Sequence, residues 1–166
     1  MPLDEASLLA AYRRVRLPLH NVLYRWLWHA ADCEDVMHDA FLRVWDRRAT
    51  VDAAKVDALL YATALNLAKN RLRWRGLWRF VAPDRDAVAD EDPALDADRQ
   101  LAQRRVRAAL EQLDDTARNV LLLSEFAGLD TAELAQVLGI APGTVGSRRH
   151  RAMAAVRKLL GEPHEP

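Results

Sequence analysis

The sequence predicts an all-α protein made of two small helical domains, and three observations carry that expectation. Apolar residues recur at helical spacing through most of the 166 residues. No stretch of convincing length alternates apolar with polar. Six glycines and seven prolines are too few for a many-turned β fold. With 51% apolar and 29% charged residues the chain can bury a core, unlike a disordered tail. Its length suits one domain or two small ones.

From the amino end, Leu8 to Val15 and Leu19 to Ala31 read as helical, separated or kinked at Pro18. Met37, Ala40, Phe41, Val44 and Trp45 line one face of a helix over 32–48. Asp32 is its expected N-cap, with Glu34 and Asp35 in a first turn where the helix dipole favours acids. Val56, Leu59, Leu60, Thr63 and Leu67 repeat the pattern, predicting a long helix from about Ala53 into an Arg-rich segment. Ala82 to Asp98, with Pro83, Pro93 and few large apolar residues, reads as a linker. Leu101 to Leu113 and Thr116 to Ala127 are helical again, and Val120 to Leu123 is apolar all round, as in a buried helix. Asp130 and Glu133 make a capping-box-like start for Ala132 to Leu138; Gly139 supplies a turn, and Pro142 opens a final helix to about Leu160. Domains are therefore expected at 1–80 and 101–161, joined by a flexible acidic linker at 81–100.

Twenty-four basic and 24 acidic residues cancel to zero, a sum that by itself argues against nucleic acid, but the charge is zoned. Between Asn66 and Phe80 stand Lys69, Arg71, Arg73, Arg75 and Arg79 with no acid. Residues 81–100 then carry seven acids against two arginines, and 148–166 turn basic with Arg148, Arg149, Arg151, Arg157 and Lys158. No apolar run approaches the ~20 residues that span a bilayer, and the start lacks a basic signal-peptide region, so a cytoplasmic protein without membrane insertion is expected. A single cysteine, Cys33, excludes an internal disulfide.

The short capped helix, glycine turn and Arg-rich final helix describe a helix-turn-helix, whose second helix reads base edges in the major groove while arginines reach guanines or phosphates. Thr144, Ser147, Arg148 and Arg151 share a face of that helix, with Arg149 beside them. A solvated basic helix in a helical hairpin is the alternative. On the 53–75 helix, Asn66, Lys69, Asn70 and Arg73 fall at i, i+3, i+4 and i+7, opposite the apolar face. Amides suit base edges, cations suit phosphates, and Tyr61, Trp74 and Trp78 offer flat surfaces for bases. A solvated helix end with core tryptophans explains the same residues. The 32–48 helix has an outer face of Asp35, His38, Asp39, Leu42 and Asp46, on which Leu42 marks a protein-binding surface or an ordinary exposed leucine.

His29, Cys33 and His38 invite a metal reading. The helix break expected at Asp32 misaligns them and no C-x-x-C pair exists, so a small buried cysteine and no metal or other cofactor are expected. Without a Gly-rich phosphate loop, G-x-S-x-G or H-E-x-x-H, no enzyme is expected.

Taken in order, these segments resemble the bacterial RNA polymerase sigma factors of the extracytoplasmic-function (ECF) group, in which a sigma2 and a sigma4 domain are joined by a flexible linker. Asp32 to Trp45 is similar to the family's region 2.2. Val56 to Arg73, with Leu60, Tyr61, Asn66, Leu67, Ala68 and Arg71, is similar to regions 2.3 and 2.4. Ala109 to Leu160 is similar to region 4, through Gly128-Leu129, Glu133-Leu134-Ala135, Leu138-Gly139, Gly143-Thr144-Val145, Ser147-Arg148 and Arg151-Ala152. The resemblance implies a sigma2-like domain at 1–80, a sigma4-like domain at 101–161, and promoter recognition without covalent chemistry.

By that resemblance, the 32–48 helix docks on the clamp coiled coil of the largest subunit of core RNA polymerase through Asp35, His38, Asp39, Phe41 and Leu42. Asn66, Lys69, Asn70 and Arg73, with the loop Arg47 to Asp52, engage the melted −10 element of promoter DNA. Thr144, Ser147, Arg148, Arg149 and Arg151 read the −35 element, and an anti-sigma factor is the implied regulator. His38 stands where the family usually has Gln, Leu59 where it often has Trp, Asn70 where it often has Asp, and Gly146 where a basic residue is usual. One rival reading is a helix-turn-helix regulator that binds duplex DNA without polymerase, its first half sensing or dimerising. Another is a metal-responsive interaction protein using His29, Cys33 and His38.

Overall fold

The computed structural model describes residues 2–81 and 94–161, which form helices and short connections with no β-strand among them. Most of the acidic linker expected at 81–100 lies outside the described residues. The chain divides into two compact units, Met1–Asp90 and Glu91–Pro166.

The first unit packs α1 (Glu5–Leu27), α2 (Ala30–Asp46) and α3 (Val56–Val81) against one another. Asp4 caps α1 by accepting the Ser7 N–H at 2.6 Å. α1 runs continuously through Pro18, so of the separation or kink expected there the separation does not occur. A proline inside a helix costs about 3 kcal/mol. Val15, Leu19, Val22 and Leu23 around it are buried against the bundle, and that burial outweighs the lost hydrogen bond. α1 ends where Trp28 enters the left-handed region at φ 53°, its N–H bonded to the Tyr24 carbonyl at 2.8 Å. That conformation costs about 1–2 kcal/mol in a residue with a Cβ, offset by an indole that is almost fully buried.

The N-cap of α2 is His29, not Asp32: its Nδ1 accepts the Asp32 N–H at 3.4 Å. Cys33, Val36, Met37, Ala40 and Val44 form the buried face of α2, as the periodicity requires. Two 3-10 turns, Arg48–Thr50 and Ala53–Lys55, lead into α3. Leu3 donates its N–H to the Val51 carbonyl at 3.2 Å and ties the amino terminus to this connection. Val56, Leu60, Tyr61, Ala64, Leu65 and Ala68 bury the inner face of α3.

The second unit contains α4 (Ala97–Glu111), α5 (Asp115–Phe126), α6 (Thr131–Leu138) and α7 (Pro142–Leu160). α4 begins four residues before the expected start, because Asp96 accepts the Arg99 N–H at 2.9 Å and caps it. Val120, Leu122, Leu123, Leu134 and Val145 make the centre of this core. Arg118 is buried beside them; burial pushes its guanidinium down to about 10, partly countered by Glu111 and Asp115. α6 starts with a complete capping box: Glu133 N–H to the Asp130 carboxylate at 2.9 Å, and Asp130 N–H to the Glu133 carboxylate at 2.8 Å. Gly139 ends it at φ 64°, a conformation glycine adopts without strain, and Pro142 opens α7.

Candidate nucleic-acid interface

α6, the Gly139 turn and α7 form a helix-turn-helix whose second helix buries Val145 and Ala152 and turns its other side outward. Ser147 and Arg151 are exposed on that side, and Thr144 and Arg148 are half-buried along it. The Ser147 hydroxyl donates to the Thr144 carbonyl at 3.1 Å. Gly143 and Gly146 are exposed and a Cβ at either would meet nothing within 4 Å, so the α7 backbone is open to close approach here. Arg149 is held differently from its neighbours: its guanidinium reaches Glu125 of α5 at 3.1 Å. His150, not singled out from the sequence, is exposed between Arg149 and Arg151; its only sequence signal is helical spacing from Gly143, Ser147 and Gly146.

In the first unit, α2 presents Asp35, His38, Asp39, Leu42 and Asp46 to solvent, with Leu42 43% exposed. Phe41 is half-buried in an aromatic row, 4.9 Å from Tyr12 and 5.9 Å from Trp45 by ring centroid, which Arg48 extends 4.5 Å over the Trp45 ring. Asn66, Asn70 and Arg73 are exposed and Lys69 is half-buried, on the side of α3 opposite its core. Asn66 and Asn70 line a groove of about 170 Å3 with Thr63 and Leu67 of α3 and with Arg43 and Val44 of α2 and Arg47 just beyond it. Two asparagines and two arginines thus share with Val44, Leu59, Thr63 and Leu67 the lining of a space smaller than the roughly 300–1,000 Å3 of a drug-sized ligand pocket.

Not every residue singled out reaches this face. Tyr61 is 3% exposed and belongs to the core, so it offers no surface to a base; Trp74 and Trp78 are exposed. Arg71 and Arg75 turn to the α1–α2 corner. Arg75 pairs with the Asp32 carboxylate and donates to the Leu27 carbonyl at 3.2 Å. Arg71 lies 3.5 Å from Asp32 and 3.3 Å from Asp35. Two of the five cations of the basic segment therefore hold the bundle together. His29, Cys33 and His38 are not gathered: His29 caps α2, Cys33 is fully buried, and His38 faces outward. Among the described residues no cluster of three His, Cys, Asp or Glu side chains has the arrangement of a metal site.

A three-helix unit with a cation-and-amide groove, followed by a unit ending in a helix-turn-helix, defines a two-part DNA-binding transcription factor. The family model for Sigma-70 region 2 matches residues 11–77, and that for Sigma-70, region 4 matches residues 103–156. The chain is 32% identical over 162 residues to the ECF RNA polymerase sigma factor SigL of Mycobacterium tuberculosis, covering 95% of this chain and 92% of that protein. It is 30% identical over 157 residues to the RNA polymerase sigma-H factor of Pseudomonas aeruginosa, covering 84% and 79%. Among solved structures it is similar to CnrH in complex with the cytosolic domain of CnrY, with TM-score 0.69 and 26% identity over 95% of this chain and 90% of that one. RpoE of Bartonella quintana, solved with the anti-sigma factor NepR, shares the fold at TM-score 0.60 and 21% identity, over 96% and 94%.

The chain belongs to the ECF RNA polymerase sigma factors. Such a protein binds core RNA polymerase and directs transcription initiation at promoter DNA, and sigma factors are transcription factors, not enzymes. No helix among the described residues is long and apolar enough to cross a membrane.

Proposed function

We propose that the three exposed faces divide the work of initiation in this chain. The α2 face of Asp35, His38, Asp39 and Leu42, with the edge of Phe41, docks on the clamp coiled coil of the largest polymerase subunit. The α2–α3 groove, with Asn66, Lys69, Asn70 and Arg73 and the connection from Arg47 to Asp52, takes the melted −10 element. Thr144, Ser147, Arg148, Arg149 and Arg151 on α7 read the −35 duplex. The factor acts in the cytoplasm by binding and strand opening, with no covalent step, and an anti-sigma factor holds it inactive. The company of NepR around the same fold in RpoE supports that last element.

The observation that carries the reading is the outward face of α2, with Leu42 exposed among acids, set beside the groove in one small unit. A regulator acting without polymerase has no need of that pairing. The test is reconstitution with core polymerase. Leu42→Asp is expected to weaken polymerase binding at least tenfold, about 1.4 kcal/mol, while −35 duplex binding stays unchanged. Normal polymerase affinity of the variant removes the docking assignment.

A further inference from the structure

The connection from α2 to α3 has a joint in its middle. Arg48–Thr50 and Ala53–Lys55 are tight 3-10 turns, and between them Val51 and Asp52 are extended, with ψ 131° and 123°. Each side of the joint is held by local bonds. Thr50 donates its N–H and its hydroxyl to the Arg47 carbonyl at 2.9 and 3.0 Å, and Arg48 donates to the Trp45 carbonyl at 2.8 Å. On the far side Asp52 accepts the Ala54 N–H at 3.1 Å, and Asp57, in the first turn of α3, pairs with Arg14 of α1 at 2.7 Å.

The joint itself is met by a distant part of the chain. Pro2 forms an antiparallel bridge with Asp52, and the Leu3 N–H donates to the Val51 carbonyl at 3.2 Å. Leu3 is 4% exposed, so a buried side chain anchors the pairing. A segment ahead of a first helix frays unless it is tied down. Proline has no N–H to donate, which keeps the pairing to this short bridge instead of a growing sheet edge.

We propose that Pro2 and Leu3 are positioning residues for promoter recognition, locking the Val51–Asp52 joint so that the connection keeps one geometry before DNA arrives. The inference rests on the assignment of this connection to the −10 element. Ahead of the joint, Arg47, Ala49 and Thr50 are exposed, and Arg47 lines the groove with Asn66 and Asn70. A loose joint must be ordered when DNA binds, which weakens the complex; one fixed beforehand spares that ordering. Rigidity also narrows the set of bases that the connection accepts, since it cannot adjust to a wrong one.

The test uses holoenzyme reconstituted with core RNA polymerase and a pool of labelled single-stranded oligonucleotides of about 15 random bases; the most enriched sequence serves as probe. Leu3→Ala, and separately removal of Pro2 and Leu3, are expected to weaken probe binding about five- to thirtyfold, the equivalent of ordering about one residue's backbone. Base preference across the pool relaxes, hydrogen exchange over residues 47–55 quickens, and affinity for core polymerase is unchanged. Leu3→Met keeps wild-type binding. Unchanged probe affinity and base preference in both variants, with Arg47→Ala still weakening binding, overturns the lock and leaves the −10 assignment standing. If Arg47→Ala is also without effect, both fall. Equal losses of probe and polymerase binding in both variants mean that Leu3 only supports the bundle, and the proposal is overturned. Faster exchange with unchanged base preference and affinity overturns it too.

Discussion

Asp32 holds more of the first unit together than a helix cap would. By propensity it is a better N-cap than His29, which is why the sequence points to it. Arg75 and Arg71, about 40 residues further along the chain, take its carboxylate instead, and the cap passes to His29. No local pattern reveals a pairing at that separation. The same limit applies to Arg149, whose partner Glu125 lies on another helix, and to Tyr61, which lies off the face expected from Val56, Leu59, Leu60, Thr63 and Leu67 but within the one the structure buries. Arg75→Ala leaves Asp32, only 16% exposed in its side chain, without its nearest cation and the Leu27 carbonyl without its donor. Breaking a fully buried pair costs about 3–5 kcal/mol; with both partners partly exposed, a loss of about 2 kcal/mol is expected in urea unfolding. On the face of α7 proposed to read the −35 element, Arg148→Ala is expected to weaken duplex binding by about 1–3 kcal/mol if it grips a guanine edge. A competition titration against duplexes with substituted base pairs checks whether specificity relaxes at one position.

At the scale of the element, the helices were the most legible part. The capping box at Asp130 and Glu133, the Gly139 turn and Pro142 are local chemistry, and each stands where its residue type requires it. What packing decides was harder to read. α1 passes through Pro18 because its flanks are buried, and α4 starts early because Asp96, inside the acidic stretch, is also a cap. Asp130→Ala is expected to cost about 1 kcal/mol by removing one half of the box, seen as a lower unfolding midpoint of the second unit. Gly146 makes the opposite prediction. It sits within α7 with open space where a Cβ would stand, so Gly146→Ala is expected to stabilise by about 0.5–1 kcal/mol. Gly146→Lys adds a cation to the exposed side of α7 proposed to face DNA, and the slope of log affinity against log salt should then steepen by about 0.9.

For the whole molecule, zero net charge hides a sorted surface. The outward face of α2 carries acids with Leu42, whereas the groove and α7 carry cations and amides. The order of these segments was legible, because each has its own periodicity and charge; the use of Arg71 and Arg75 as internal braces was not, since a cation that pairs inward looks the same in sequence as one that faces a phosphate. Each compact unit has its own core. Unfolding is accordingly expected in two transitions and not one. Arg75→Ala should lower one midpoint and Asp130→Ala the other, with differential scanning calorimetry as the measurement. Cys33 gives this molecule one more property. Its sulfur is sealed inside the first bundle, and a thiol shielded in this way reacts slowly with alkylating dyes. A cysteine introduced at an exposed position outside the proposed contact faces, such as Leu17 or Leu101, would then be the reactive thiol of the folded chain, so a spectroscopic probe can be attached to one unit at a time.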